Sequence, residues 1–193
     1  RVPSTRYRED SEFVNFFSQM LDNIRHLPAV RSAGMINYLP LYGGLGSATG
    51  FKILGRPEPP PGQGPSCDVR VTDSGYFQTL GIPLLRGRYF SDSELKEPKH
   101  VILINEALAR TYFPEEDPIG HRLDVEMFDK PTPAEIIGIV GNVRYDSLID
   151  DAPPAVYFPH PDLAYPFMTL VVRTDGDPTA IAPSPSRSRG RAS

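Results

Sequence analysis

The chain has 193 residues, enough for one domain or for two small subdomains sharing a core. Hydrophobic content of 39% and charged content of 23% lie near globular averages, which excludes a wholly disordered polymer and a multispan membrane protein. There are 24 acidic and 20 basic residues, and residues 1–183 hold 17 basic against all 24 acidic ones, the wrong sign for a nucleic-acid binder.

No run approaches ~18 consecutive apolar residues, and RVPSTRYRED at the start holds no apolar signal core, so no membrane helix or targeting segment is expected here. The 22 prolines are about twice the usual share. With 16 glycines, they predict many rigid turns and short elements rather than a helical bundle. The single cysteine, Cys67, can form neither an internal disulfide nor a multi-thiolate metal site.

Phe13, Phe16, Phe17, Met20, Leu21, Ile24 and Leu27 share one helical stripe, which predicts an amphipathic helix over 11–27. Asp10 or Ser11 is its expected cap and Pro28 its stop. Its polar face carries Arg25 and no lysine, so the stripe is read as facing a core, not a membrane surface. Residues 30–38 read as a strand, and the helix is expected to pack on a sheet containing 30–38 and 168–173. Residues 40–66 read as a long irregular stretch around a short apolar piece at 51–54, and PEPPPG reads as polyproline-like backbone.

Beyond Cys67 the elements shorten. Strands are expected at 68–72, 82–85, 101–104, 121–125, 135–140, 155–158 and 168–174. Helical turns are expected at 75–80, closed by Gly81, and after Asn105, ended by Pro114. The order of elements suggests an α+β fold and not a doubly wound sheet. GDPTAIAP reads as a helix start with Asp177 as cap, and residues 184–193 (SPSRSRGRAS) read as a disordered or artefactual tail.

Chemistry is sparse. His26, His100, His121 and His160 show no metal-ligand spacing and read as surface or turn histidines. Ser66 and Ser74 have no assigned base and read as turn or cap serines. Gly43, Gly44, Gly46 and Gly50 form a glycine-rich loop without a phosphate-binding pattern, while Gly138 and Gly141 read as glycines in a bent strand beside another element. Glu115, Glu116 and Asp117, like Asp150 and Asp151, read as solvated turns. No catalytic, cofactor-binding or metal residue is assigned, and no cofactor is expected.

The order and spacing of short motifs carry a resemblance. SGYFQTLGIPLLRGRYFSDSE, HVILINEALARTYFPEEDPIGHRL, EIIGIVGNVRYDSL and PAVYFPH follow one another. The strongest markers are Gly75-Tyr76-Phe77, Gly81, Gly87-Arg88, Asn105-Glu106, Ala109-Arg110, Phe113-Pro114, Pro118-Ile119-Gly120, Gly138-Ile139-Val140 and Tyr157. Over about residues 7–182 the chain resembles the MacB-type periplasmic core domain of FtsX-like ABC transporter permeases, and is similar to a permease family abundant in acidobacteria.

The resemblance implies a non-catalytic extracytoplasmic domain between the first two transmembrane helices of an inner-membrane permease. It implies a porter-like βαβ subdomain (1–40 and 152–183) and an inserted Sabre-like subdomain of short strands and small helices (41–151). Cytoplasmic ATP hydrolysis would drive export or move a periplasmic partner. The implied partners are the permease's own transmembrane helices, indirectly the ATP-binding subunit or domain, and a periplasmic protein or cargo, with no nucleic acid. The family would continue past residue 182 with a helix and a strand, where this chain has the serine- and arginine-rich tail. An independent periplasmic ligand-binding module and a degenerate hydrolase are the competing readings, needing an enclosed pocket and a converged nucleophile and base respectively.

Leu41, Tyr42 and Leu45, among four glycines in 40–50, are the expected partner-contact residues. An ordinary loop whose apolar residues fold back on the core is the other reading.

Overall fold

Side-chain alternation along the strands decides the architecture. The computed structural model describes residues 4–39, 47–60, 62–127, 131–143 and 152–175. It contains α1 (Ser4–Arg25), β1 (Val30–Ile36), β2 (Ser47–Ile53), β3 (Ser66–Thr72), α2 (Ser74–Leu80), β4 (Leu84–Gly87) and β5 (Val101–Asn105). These are followed by α3 (Glu106–Tyr112), β6 (Arg122–Val125), β7 (Ala134–Val140), β8 (Ala155–Pro159) and β9 (Thr169–Thr174). The α+β expectation holds: many short strands and few helices form one mixed sheet.

Six of the strands close on themselves. The order β2-β6-β7-β5-β8-β3 returns to β2, which gives its first half to β3 (Ser47 opposite Val69) and its second half to β6 (Phe51 opposite Val125). β3 and β8 run parallel, as do β5 and β7, while the other pairs of the ring are antiparallel. Such closure removes sheet edges. Period-two alternation sends Phe51, Val69, Ile102, Ile104, Val125 and Phe158 to one core, with Leu108 and Phe113 of α3 packed among them. Their neighbours Val101, Leu103, Ala155 and Tyr157 face a second core, covered by Tyr76 and Phe77 of α2.

Outside the ring, β9 extends the sheet through β1, with Met35 opposite Leu170, and α1 lies on this pair. The expected packing of the first helix on 30–38 and 168–173 is present, with a narrower contact. Val14, Phe17 and Leu21 are buried, whereas Phe13 and Phe16 are exposed, Phe16 at 60%. A two-strand ribbon covers only part of the stripe, so residues at its margin stay in water. The helix also starts at Ser4, so neither Asp10 nor Ser11 caps it.

Three further expectations are corrected. The stretch read as irregular from 40 to 66 contains β2, whose small and polar first half hides its strand character. The strand expected at 82–85 is β4 at Leu84–Gly87, which takes in Arg86 and Gly87 because it follows β7 as far as Gly138. Ser66 lies in β3, its amide donating to the Tyr112 hydroxyl (3.3 Å). Gly138 does sit in a strand against another element: a Cβ there would fall 2.5 Å from the Arg88 carbonyl oxygen and 2.8 Å from Leu103.

Candidate functional site

Leu41, Tyr42 and Leu45 lie outside the described residues, as do Gly43, Gly44, Gly46, Asp150, Asp151 and the segments 176–183 and 184–193. What is described on either side of 40–46 is informative. Leu39 packs against the core beneath α2, and Ser47 begins β2 in the ring. The segment therefore runs from the α1–β1–β9 layer into the barrel.

A polar arrangement among the described residues joins those two parts. Asp73 caps α2, its carboxylate accepting from the Gly75 amide (3.1 Å) and the Tyr76 amide (3.2 Å). The same carboxylate accepts from the Met35 amide in β1 (2.8 Å) and from the Arg25 guanidinium at the end of α1 (2.5 Å). Arg25 also donates twice to the Ala33 carbonyl, at 3.0 and 3.1 Å. Burial pushes the Asp73 carboxyl up, against the pull of these donors and of the Arg25 charge. Asn37 adds a reciprocal pair with Val71, each backbone amide bond measuring 3.0 Å, and Thr72 Oγ1 donates to the Met35 carbonyl (2.7 Å).

A second junction lies just past the same end of β1. The hydroxyls of Tyr38 and Tyr165 are 2.7 Å apart, a hydrogen bond that, with burial, pushes Tyr165 up to about 12. His160 sits in a turn, one of the two readings given it, but is buried and not at the surface: its ring meets Phe17 edge-on at 5.6 Å, and its Nε2 lies within hydrogen-bond distance of the Tyr165 backbone. It follows the end of β8 at Pro159. Nearby, buried Asp162 accepts from the amides of Lys99, His100 and Val101, which holds His100 in the left-handed region (φ 54°).

The remaining candidates are dispersed. His26 and His100 are exposed, and His121 leans toward Glu116 at 3.6 Å. Ser74 donates to the Phe90 carbonyl (3.0 Å). Burial in the barrel pushes the Cys67 thiol up to about 12, so it is not a ready thiolate. Glu116 and Asp117 are half-exposed and engaged with Arg56 and Arg86. Among the described residues no group of three or more His, Cys, Asp and Glu could hold a metal ion, and no helix is long and apolar enough to cross a membrane.

A surface groove of about 520 Å³ separates β2 from the proline-rich loop after it, lined by Lys52, Arg56, Pro57, Pro59 and Tyr112 among others. Its cations are engaged internally. Lys52 pairs with Glu58 at 2.6 Å, and Arg56 donates to the Tyr112 carbonyl (2.7 Å) with its guanidinium over the Phe113 ring at 4.7 Å.

The sequence reading missed the Arg25–Asp73 node. Its one local signal was an aspartate directly before a helical turn, the composition of an N-cap. Nothing local couples it to an arginine 48 positions away.

The fold is similar to that of solved structures. The extracellular domain of the noncanonic ABC-type transporter YknZ from Gram-positive bacteria superposes with a TM-score of 0.55 at 14% identity, over 82% of this chain and 73% of that one. The periplasmic region of MacB from Actinobacillus actinomycetemcomitans gives 0.59 at 14% identity, over 84% and 67%. No curated protein matches. At these identities the superpositions speak for the fold, and the sequence itself carries the assignment: the family model described as "MacB-like periplasmic core domain" matches residues 7–184. The chain therefore belongs to the MacB-like periplasmic core domain family, the extracytoplasmic domains of ABC transporter permeases.

Proposed function

We propose that this domain is a non-catalytic coupling element, through which ATP hydrolysed on the cytoplasmic side drives export or moves a periplasmic partner. The observation that carries this reading is the junction between a closed barrel packed with apolar side chains and a helix-bearing layer attached through Asp73. A packed barrel resists deformation, so displacement applied to one part is passed on instead of being absorbed. The domain's membrane connection is to the permease's own transmembrane helices, and the ATP-binding subunit or domain acts through them. The division into a porter-like part (1–40 and 152–183) and a Sabre-like part (41–151) belongs to the same proposal. Its porter-like part is supported by the separate core of α1, β1 and β9, whereas β8 lies in the ring, between β3 and β5.

Leu41, Tyr42 and Leu45 are proposed as the contact with a periplasmic protein or cargo, since their segment joins the two parts. Slow hydrogen exchange throughout 41–50 in the isolated chain would rule this out, because those residues would already be packed.

The coupling reading is tested in the whole permease reconstituted with its ATPase. Deleting residues 7–184 is expected to leave ATP hydrolysis running while export or partner movement stops. Transport continuing at its full rate would end the proposal.

A further inference from the structure

The α1–β1–β9 layer has little backbone pairing with the barrel. β1 shares one register pair with β3, Ile36 opposite Thr72, while it runs beside β9 along most of its length. The apolar centre of the layer (Phe17, Leu21, Ala33 and Met35) is a cluster of its own. The backbones touch where β1 crosses α2: a Cβ on Gly34 would lie 2.0 Å from the Tyr76 nitrogen, and one on Gly75 would lie 2.3 Å from the Ala33 oxygen, while Ile36 of β1 adds one side chain to the cluster of Tyr76 and Phe77. Arg25 touches all three elements there, ending α1 while it binds the Ala33 carbonyl of β1 and the Asp73 cap of α2.

We infer that the Arg25–Asp73 pair is a latch, and that releasing it lets the α1–β1–β9 layer open as a unit while the barrel stays folded. Without Arg25 the buried carboxylate keeps only backbone donors around its charge, and opening the layer rehydrates it. Close backbone contact has short range, so its attraction is lost as soon as β1 lifts. The barrel is held by ring pairings and a core in which Arg25 takes no part. This inference concerns the joint alone and does not depend on the coupling function.

Native-state hydrogen exchange on the 193-residue chain tests it. R25Q is expected to speed exchange of the Leu21, Met35 and Leu170 amides by about tenfold or more, with Ile102, Ile104 and Val156 changing by less than about twofold. R25K, which keeps the charge but loses the fork, is expected to fall between. Equal acceleration of both sets would show one cooperative unit and overturn the latch. No change in either set would overturn it too. If R25Q does not fold, R25K carries the test with the same outcomes.

Discussion

Gly34 of β1 rests on the peptide nitrogen of Tyr76, with no room between them for even a methyl group. The first turn of α2 can approach β1 this closely because Gly75 adds no side chain of its own, and the approach places Asp73 within reach of the Met35 amide. Gly34→Ala must push β1 off α2, and overpacking of this kind costs about 1–3 kcal/mol or more. Gly64→Ala, where the added methyl would meet Pro59 at an ordinary 3.6 Å, is expected to stay within about 0.5 kcal/mol. Denaturant midpoints for the two variants check the contrast.

Phe17 and Phe16 are consecutive, with rings meeting edge-on at 5.3 Å, yet only Phe17 is buried. Phe17→Ala is expected to cost about 3–5 kcal/mol, because it empties the space between α1, β1 and His160. Phe16→Ala should cost less than about 1 kcal/mol. Comparable losses in chemical denaturation would mean that α1 sits rotated from its place here.

Asn105 closes β5, caps α3 and ties in the start of β8. Its Oδ1 accepts from Leu108 and Ala155 amides, both at 2.9 Å, and its Nδ2 donates to the Pro153 carbonyl at 2.8 Å. Asn105→Ala strands the buried Ala155 amide as well as removing the cap, so a loss of about 2–4 kcal/mol is expected. Asn105→Asp retains the acceptor and should cost less. Unfolding free energies that rank the two the other way would contradict these roles.

Glu94 supplies a pH dependence. The Arg88 guanidinium, bound at 2.7 and 2.8 Å, and the Ser91 donors lower its carboxyl from 4.5 to about 2, against the cost of burial. Because the folded value is the lower one, the stabilisation is complete above the unfolded value near 4.5 and is lost as the pH falls toward 2. Glu94→Gln is expected to cost about 1–2 kcal/mol at pH 7, discounted for the half-exposed Arg88. The gap between variant and parent should close between pH 4.5 and 2 in denaturant titrations. A constant gap would remove Glu94 as its source.

Most elements were legible where composition and length agree, as in the near-continuous apolar runs of β5, β7 and β8, and the cap at Asn105. β2 was hidden because Ser47, Ala48, Thr49 and Gly50 carry no apolar period; its place depends on β3 and β6, which flank it in space. The buried side of α1 was legible only to within its stripe, because the width of the covering ribbon decides which phenylalanines reach it. Arg25 and Asp73 each read as ordinary polar residues in isolation. Their meeting follows from the crossing of β1 over α2, which local sequence does not encode.

The pairing of early strands with late ones has a consequence for how the domain is made. Asp68 finds its partner in Ala155, and Val30 in Thr174. A chain that reaches its compartment N-terminus first thus presents β1 and β3 before β8 and β9 have arrived, so neither the ring nor the layer can be completed during passage of the first two-thirds of the sequence. Emergence, and not local propensity, then sets the earliest moment of folding. Until then Val69 and Val71 lack their partners in β8, and Met35 lacks its partner in β9, so these strand residues stay uncovered until the last fifth of the chain is present.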